Sequence, residues 1–310
     1  MARVFINGQS GTTGLRLFDR LSGREDVELV SARPEFRRDP KEILSVMEKA
    51  DYMFLCLPDD AAKESVAMAE GLPIKIIDAS TAHRTNPSWA YGFPELSEKH
   101  RTEIETSAKI AVPGCHASGF LALVYPLVAS DVLPADYPVS CTSLTGYSGG
   151  GKSMIAEYEA LDRPAGFDSP RHYALTQSHK HLPEMQSVSG LEFPPAFNPV
   201  VASFYSGMLV TIVLHTRMLN NDVGLAAVTD VMKSHYSHGG LVKVVDSGEA
   251  FIDSLELSGR DDMEIYVTGN DERVMLSARF DNLGKGASGA AIQCFNIMNG
   301  IAEDTGLVVG

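Results

Sequence analysis

Apolar residues follow two rhythms along this chain. From Arg3 to Pro113, short apolar blocks alternate with stretches of helical period. Arg3–Asn7, Val27–Ser31, Tyr52–Leu57, Ile74–Ile77 and Ile110–Pro113 are predicted strands. Thr12–Leu21, with Leu15, Leu17, Phe18 and Leu21 as apolar positions, is a predicted helix, as are Ile43–Lys49 and Ala61–Glu70. Apolar blocks joined by helices specify a largely parallel sheet with crossover helices.

The second rhythm follows a serine- and glycine-rich stretch at 134–151, in which Thr145–Lys152 reads as a loop, and a later turn or loop region marked by Pro194, Pro195, Asn198 and Pro199. The runs Val200–Phe204, Met208–His215, Leu241–Val245 and Met275–Phe280 suit an antiparallel or mixed sheet, with helices at Ala117–Ala129 and Val223–His235. Gly284, Gly286 and Gly289 open a last helical pattern through Ala290, Ile292, Phe295 and Met298.

Composition narrows the function. A chain of 310 residues, 44% hydrophobic and 21% charged, has material for two folded domains and excludes wholesale disorder. Its 26 Lys and Arg against 40 Asp and Glu leave a formal charge of -14, which argues against a nucleic-acid partner. An anionic ligand then needs a local basic patch. The most apolar segment, Phe120–Ala129, is far shorter than a membrane span. Cys56, Cys115, Cys141 and Cys294 form no CxxC pair, and Val4, Phe5 and Ile6 begin a strand with no charged leader before them. The expectation is a cytoplasmic protein with no membrane partner.

After the first strand the chain reads Gly8-Gln-Ser10-Gly11-Thr12-Thr13-Gly14. Glycines at a strand-to-helix turn admit a phosphate close to the backbone, and free helix amides can bind it. The spacing is GxxGxxG, a loose match to the dinucleotide motif; a plain tight turn is the alternative. Ser31 and Arg33 end the second strand and Arg37 lies beyond, where an NAD site favours a carboxylate; this suits the 2'-phosphate of NADP, although Glu35 is nearby. Cys56, Leu57 and Pro58 end the third strand, at the edge where such sheets bind ligands. Cys56 itself reads as a small core residue.

Cys115 follows the turn Pro113-Gly114 and precedes a helix, a placement that favours thiolate and attack on an acyl or aldehyde carbon. A buried structural cysteine is the bland alternative. His179 and His181, in His-Lys-His-Leu-Pro-Glu, offer an acid/base partner, oriented by a carboxylate such as Glu184. They lack the further ligands of a zinc motif, so no metal is expected. His116 reads as structural or a pocket contact. Gly146–Ser153 formally matches the Walker A pattern, with no clear parallel strand–loop–helix unit around it; Ser148, Gly149 and Gly150 are alternatively a cradle for a cofactor phosphate or a cover for nicotinamide.

Gly8–Gly14, Val112–Gly119, Gly146–Lys152, His179–Glu184 and Asn282–Gly289, in this order, resemble the N-acetyl-gamma-glutamyl-phosphate reductases of arginine biosynthesis. The likeness is to their shorter bacterial class, within the aspartate-semialdehyde-dehydrogenase-like superfamily, and spans almost the whole chain. It implies an α/β fold: a Rossmann-like NADP-binding domain at 1–115, an α+β catalytic and dimerisation domain with a mixed or antiparallel sheet at 116–285, and a helix at 286–310 that returns to the first domain. It implies Cys115 as nucleophile and His181, or its rival His179, as base. NADPH then reduces N-acetyl-L-glutamyl 5-phosphate through a cysteine thioester to the 5-semialdehyde, releasing inorganic phosphate. Arg84, Arg171, Lys180 and Glu184 are the candidate substrate contacts, and a homodimer or homotetramer is implied. Aspartate-semialdehyde dehydrogenase, a non-catalytic NADP-binding sensor and a purely structural domain are the rival readings.

Overall fold

Apolar runs with opposite faces need cover on both sides, and helices from both ends of the chain supply it. The computed structural model describes residues 1–246, 248 and 250–310, and of residue 222 the backbone alone. Contacts divide the chain into two compact units: Met1–Pro94 with Glu98–Pro113 and Ala287–Leu307, and Glu95–Ser97 with Gly114–Gly286 and Val308–Gly310.

The first unit contains β1 (Ala2–Asn7), α1 (Thr12–Leu21), β2 (Val27–Val30), α2 (Pro40–Met47), β3 (Tyr52–Leu55), α3 (Asp59–Met68), β4 (Lys75–Asp78), β5 (Ala90–Tyr91), α4 (Glu98–Thr106) and β6 (Lys109–Ala111). Its six strands are all parallel, in the order β2-β1-β3-β4-β6-β5. Strand period 2 sorts the core into two faces. Val4, Ile6, Phe54 and Ile77 pack with Leu17 and Leu21 of α1 and with Ile292 and Phe295 of a late helix, Gly289–Met298. Phe5, Met53, Leu55 and Ile76 pack with Val46, Met47 and Ala62 of α2 and α3. The late helix is buried along its whole length, as an all-round apolar helix must be. Two elements escape the apolar pattern: β5 is very short, and α4 is polar apart from buried Ile104.

The second unit contains α5 (Cys115–Ala129), β7 (Ser140–Gly146), α6 (Gly151–Glu159), β8 (Arg171–His172), α7 (Leu182–Ser189), β9 (Ala196–Ala202), β10 (Met208–His215), α8 (Leu225–His235), β11 (Val242–Val244), β12 (Met263–Gly269) and β13 (Arg273–Phe280). The sheet is mixed, in the order β11-β12-β13-β10-β7-β9-β8; β7/β9 and β11/β12 are parallel and the other pairs antiparallel. Helix α5 lies close on it: a Cβ at Gly119 would stand 2.5 Å from Val210 Cγ2 and 2.8 Å from Phe280 Cε1.

One strand was not foreseen, and one expectation is corrected. The stretch 134–151 holds an interior strand, β7, whose inward residues Cys141, Ser143 and Thr145 are too small and polar to announce a strand. Asn198 and Pro199 lie inside β9; β8 pairs only with Val200 and Val201, so no ladder bond on that side needs the N–H that Pro199 lacks. Among the described residues no helix is long and apolar enough to cross a membrane.

Candidate active site

In the second unit, Cys115 is the first residue of α5, half-buried. The preceding Gly114 is the N-cap, with extended backbone and no side-chain cap. Its N–H donates to Glu184 Oε2 at 3.2 Å. Glu184 is buried in the first turn of α7, so its carboxylate ties that turn to the cysteine turn. The sequence suggested Glu184 as an orienter of histidine or a substrate contact; this bond gives it a role on the backbone before the nucleophile as well. Behind the cysteine, Gly286 leaves no room: a Cβ there would stand 2.8 Å from Cys115 Cβ.

Histidines and aromatic rings gather around His116, the next residue of α5. His181, at the N-cap of α7, is buried, and its N–H donates to His179 Nδ1 at 3.2 Å. The two imidazoles meet edge to face at 4.7 Å, and His116 lies 5.4 Å from His179 and 5.5 Å from His181 by ring centroids. His116 bonds Ser143 Oγ through Nδ1 at 2.6 Å and the Tyr173 hydroxyl through Nε2 at 2.5 Å. Burial, with a smaller effect from His179, lowers its imidazole to about 3, so it is neutral near pH 7 with one donating and one accepting nitrogen. Burial first, and the charge on Cys115 second, raise the Tyr173 phenol. Tyr173 and Ser143 went unforeseen, since nothing in their local sequence marks them. Arg171 packs its guanidinium 3.6 Å from the Phe167 ring centroid and donates to the Tyr158 hydroxyl at 2.9 Å, while Lys180 is exposed.

The Walker-like segment does sit in a strand–turn–helix, β7 to α6, contrary to expectation, and its first three amides are engaged. Gly146, Tyr147 and Ser148 donate to the carbonyls of Gly207, Phe204 and Tyr205 at 3.0, 2.9 and 3.0 Å. Ser148 is buried and its hydroxyl accepts from Asn282 Nδ2 at 3.0 Å; Gly149, Gly150 and Lys152 are exposed.

In the first unit the glycine turn is tight. Gly8 has φ +93°, and a Cβ on it would lie 2.3 Å from the Cys56 carbonyl oxygen. Gly14 would place one 2.4 Å from the Gly8 oxygen. Gly11 is the N-cap of α1, again without a side-chain cap, and Thr12 Oγ1 is buried with no hydrogen-bond partner among the described residues. Such a hydroxyl beside open helix amides calls for an acceptor such as a phosphate oxygen. Ser10 is exposed; Thr13 and Leu57 are half-buried, and Pro58 is the N-cap of α3. Burial, then Asp78, pushes the Cys56 thiol up to about 12, which removes it as a nucleophile.

Ser31, Arg33 and Arg37 are exposed. Arg33 is held by Glu42, with Nε and a terminal nitrogen on its two carboxylate oxygens at 3.0 and 2.8 Å, and the pair holds Glu42 at about 2. Glu42 was not foreseen, and it occupies the fork that a 2'-phosphate would use. Arg84 is buried and donates to the carbonyls of Val112 at 2.9 Å and Ala79 at 3.0 Å, a loop-fastening role.

Comparisons agree with this geometry. Residues 3–104 match the semialdehyde dehydrogenase NAD binding domain family, and residues 115–282 match the semialdehyde dehydrogenase dimerisation domain family. An N-acetyl-gamma-glutamyl-phosphate reductase of Brucella anthropi is 44% identical over 307 residues, covering 96% of this chain and 98% of the relative. N-acetyl-gamma-glutamyl-phosphate reductase 2 of Nostoc sp. is 41% identical over 318 residues, covering 98% and 99%. Aspartate semialdehyde dehydrogenase II of Vibrio cholerae superposes with a TM-score of 0.74 at 15% identity, covering 96% of this chain and 98% of that one. The Candida albicans aspartate semialdehyde dehydrogenase solved with NADP gives 0.67 at 14%, covering 98% and 99%. At such identities the two structures speak for the fold alone.

Proposed function

The chain belongs to the N-acetyl-gamma-glutamyl-phosphate reductase family, and we propose that it carries out that reaction in arginine biosynthesis: NADPH-dependent reductive dephosphorylation of N-acetyl-L-glutamyl 5-phosphate to N-acetyl-L-glutamate 5-semialdehyde. The observation that carries the mechanism is Cys115 at the uncapped start of α5, with its turn pinned by buried Glu184 and histidines gathered alongside.

The helix N-terminus favours the thiolate of Cys115. The thiolate attacks the acyl carbon, the C–O bond to phosphate breaks, and a thioester remains. The first-turn amides of α5, which have no intrahelical acceptor, are the donors for the oxyanion. NADPH, when bound, supplies the hydride that reduces the acyl carbon. His181 gives a proton to the oxyanion that hydride addition leaves and takes it back as the thiohemiacetal collapses, breaking the C–S bond and returning the thiolate; His179, bonded to the His181 amide, is the alternative acid and base. Arg171 and Lys180 are the basic side chains of the second unit offered to the substrate's anionic groups.

The first unit is the proposed NADP domain. Gly8, Gly11, Thr12 and Gly14 would hold the pyrophosphate, with Arg37, and Arg33 once it releases Glu42, for the 2'-phosphate. The second unit is the proposed catalytic and dimerisation domain. Support for a homodimer or homotetramer comes from its open sheet face, where Val213 and Met275 pair across β10 and β13, 47% and 37% exposed. A cytoplasmic location completes the reading.

The test is NADP reduction by N-acetyl-L-glutamate 5-semialdehyde with inorganic phosphate. Phosphate-dependent turnover is expected. Turnover with aspartate semialdehyde alone would overturn the substrate assignment.

A further inference from the structure

The motif Asn282–Gly289 has no role in the chemistry above, yet it holds an unusual feature. After β13 the chain forms one wide π turn over Gly284–Ser288. Both glycines of this turn are wedged. A Cβ at Gly284 would stand 1.9 Å from the Arg260 carbonyl oxygen, and one at Gly286 would stand 2.8 Å from Cys115 Cβ. The start of the turn is tied by Asp281, whose Oδ1 accepts from Leu283 and Gly284 amides at 2.6 and 3.0 Å.

Between the glycines stands Lys285, which is 2% exposed. Its Nζ donates to both oxygens of Glu95 at 2.8 Å, and the Glu95 side chain is 4% exposed. Glu95 Oε1 also accepts from the Leu241 amide at 3.0 Å. Removing two charges from water costs more than their attraction commonly returns, and an apolar pair of similar volume often serves stability as well or better. What the ion pair adds is direction. Two bonds to one carboxylate fix Lys285, and Lys285 fixes the neighbouring Gly286 against the nucleophile's Cβ.

We propose that Lys285 and Glu95 are positioning residues that seat Cys115 through the Gly286 backbone. The inference rests on Cys115 being the nucleophile. Errors of an ångström in a reacting group can cost about a hundredfold in rate, so a device of this kind repays its desolvation in kcat.

The test compares full-length Lys285→Met/Glu95→Gln, Gly286→Ala and Cys115→Ser with wild type. The double variant removes both charges and keeps an acceptor for Leu241. Expected are a kcat lower by roughly tenfold or more, a KM for the semialdehyde and an NADP affinity within about twofold, and a nearly unchanged melting temperature. Gly286→Ala keeps the ion pair and pushes on Cys115 from the same wall, so it should show the same kcat-specific loss and a changed rate of Cys115 alkylation by iodoacetamide. If the double variant fails to fold, Gly286→Ala decides. Wild-type kcat in either folded variant, with Cys115→Ser inactive, overturns the inference and leaves the mechanism standing. Full activity of Cys115→Ser overturns the mechanism itself.

Discussion

Two helices of this protein begin in nearly the same way and end up doing different work. Helix α1 starts after Gly11 at φ -72°, ψ 166°; helix α5 starts after Gly114 at φ -74°, ψ 147°. Both caps are glycines in extended backbone, both follow a strand of the same sheet within a few residues, and neither helix has a side-chain cap. Each therefore offers the same device, a set of unsatisfied amides and the positive end of a helix dipole. The difference lies in what stands at the opening. At α1 it is a buried, unpartnered threonine hydroxyl, which suits an arriving anion. At α5 it is a cysteine, so the anion favoured there is the protein's own thiolate. The amide just before that cysteine is already taken by a carboxylate, which fixes the turn. One element of backbone physics thus serves binding in one place and reactivity in the other.

The comparison breaks most visibly at Cys115. Cys115→Ser should lower turnover by about a thousandfold or more, while NADP binding, followed by fluorescence titration, stays close to wild type. A loss of both would mean that the two helix ends do not divide the work as argued. Glu184→Ala leaves the Gly114 amide buried without its acceptor, which should cost about 1–3 kcal/mol of stability by denaturant unfolding. Its kcat should fall by roughly ten- to a hundredfold as the cysteine turn loosens, and Glu184→Gln, which keeps an acceptor oxygen, should recover most of both.

Thr12→Val sharpens the other side. Without ligand the variant should be as stable as wild type or slightly more so, because an unpaired buried hydroxyl is removed. NADP affinity should drop by about tenfold, the loss of one hydrogen bond to a charged group. Destabilisation without any change in affinity would assign Thr12 to the fold.

A further test concerns pH. His116 has its folded pKa depressed, from 6.5 to about 3, so the unfolded chain binds the extra proton between those values. Stability contributed by the neutral ring is present above about pH 6.5 and is lost as pH falls toward 3. Unfolding midpoints of wild type should decline across that window, and His116→Gln should show a shallower decline. Parallel slopes would mean that other groups govern the acid limb.

How much of this was visible in the sequence depends on the range of the interaction. Helix α1 was legible to the residue, because its apolar spacing and glycine flanks are local signals. Strand β10 was equally clear, with inward Val210, Ile212 and Leu214 alternating with half-buried Thr211 and exposed Val213 and His215. Strand β7 was not, because Ser143 is buried there to meet His116, a reason that exists only in three dimensions. The candidate site divides along the same line. Cys115, His181 and the glycine turn carry local marks. Glu42 on Arg33, Glu184 on Gly114 and Glu95 on Lys285 do not, since each acquires its meaning from a partner that the fold delivers; the last pair is 190 residues apart. For the same reason Arg84 looked available and is instead fastened to carbonyls.

The central claim is that Cys115 carries the acyl group. Wild-type enzyme mixed with N-acetyl-L-glutamyl 5-phosphate without NADPH, quenched in acid and examined by intact-protein and peptide mass spectrometry, tests it directly. The account expects one N-acetylglutamyl group per chain, on the peptide containing Cys115 and absent from Cys115→Ser. An acyl group on another residue, or full turnover by an enzyme that never becomes acylated, would contradict it.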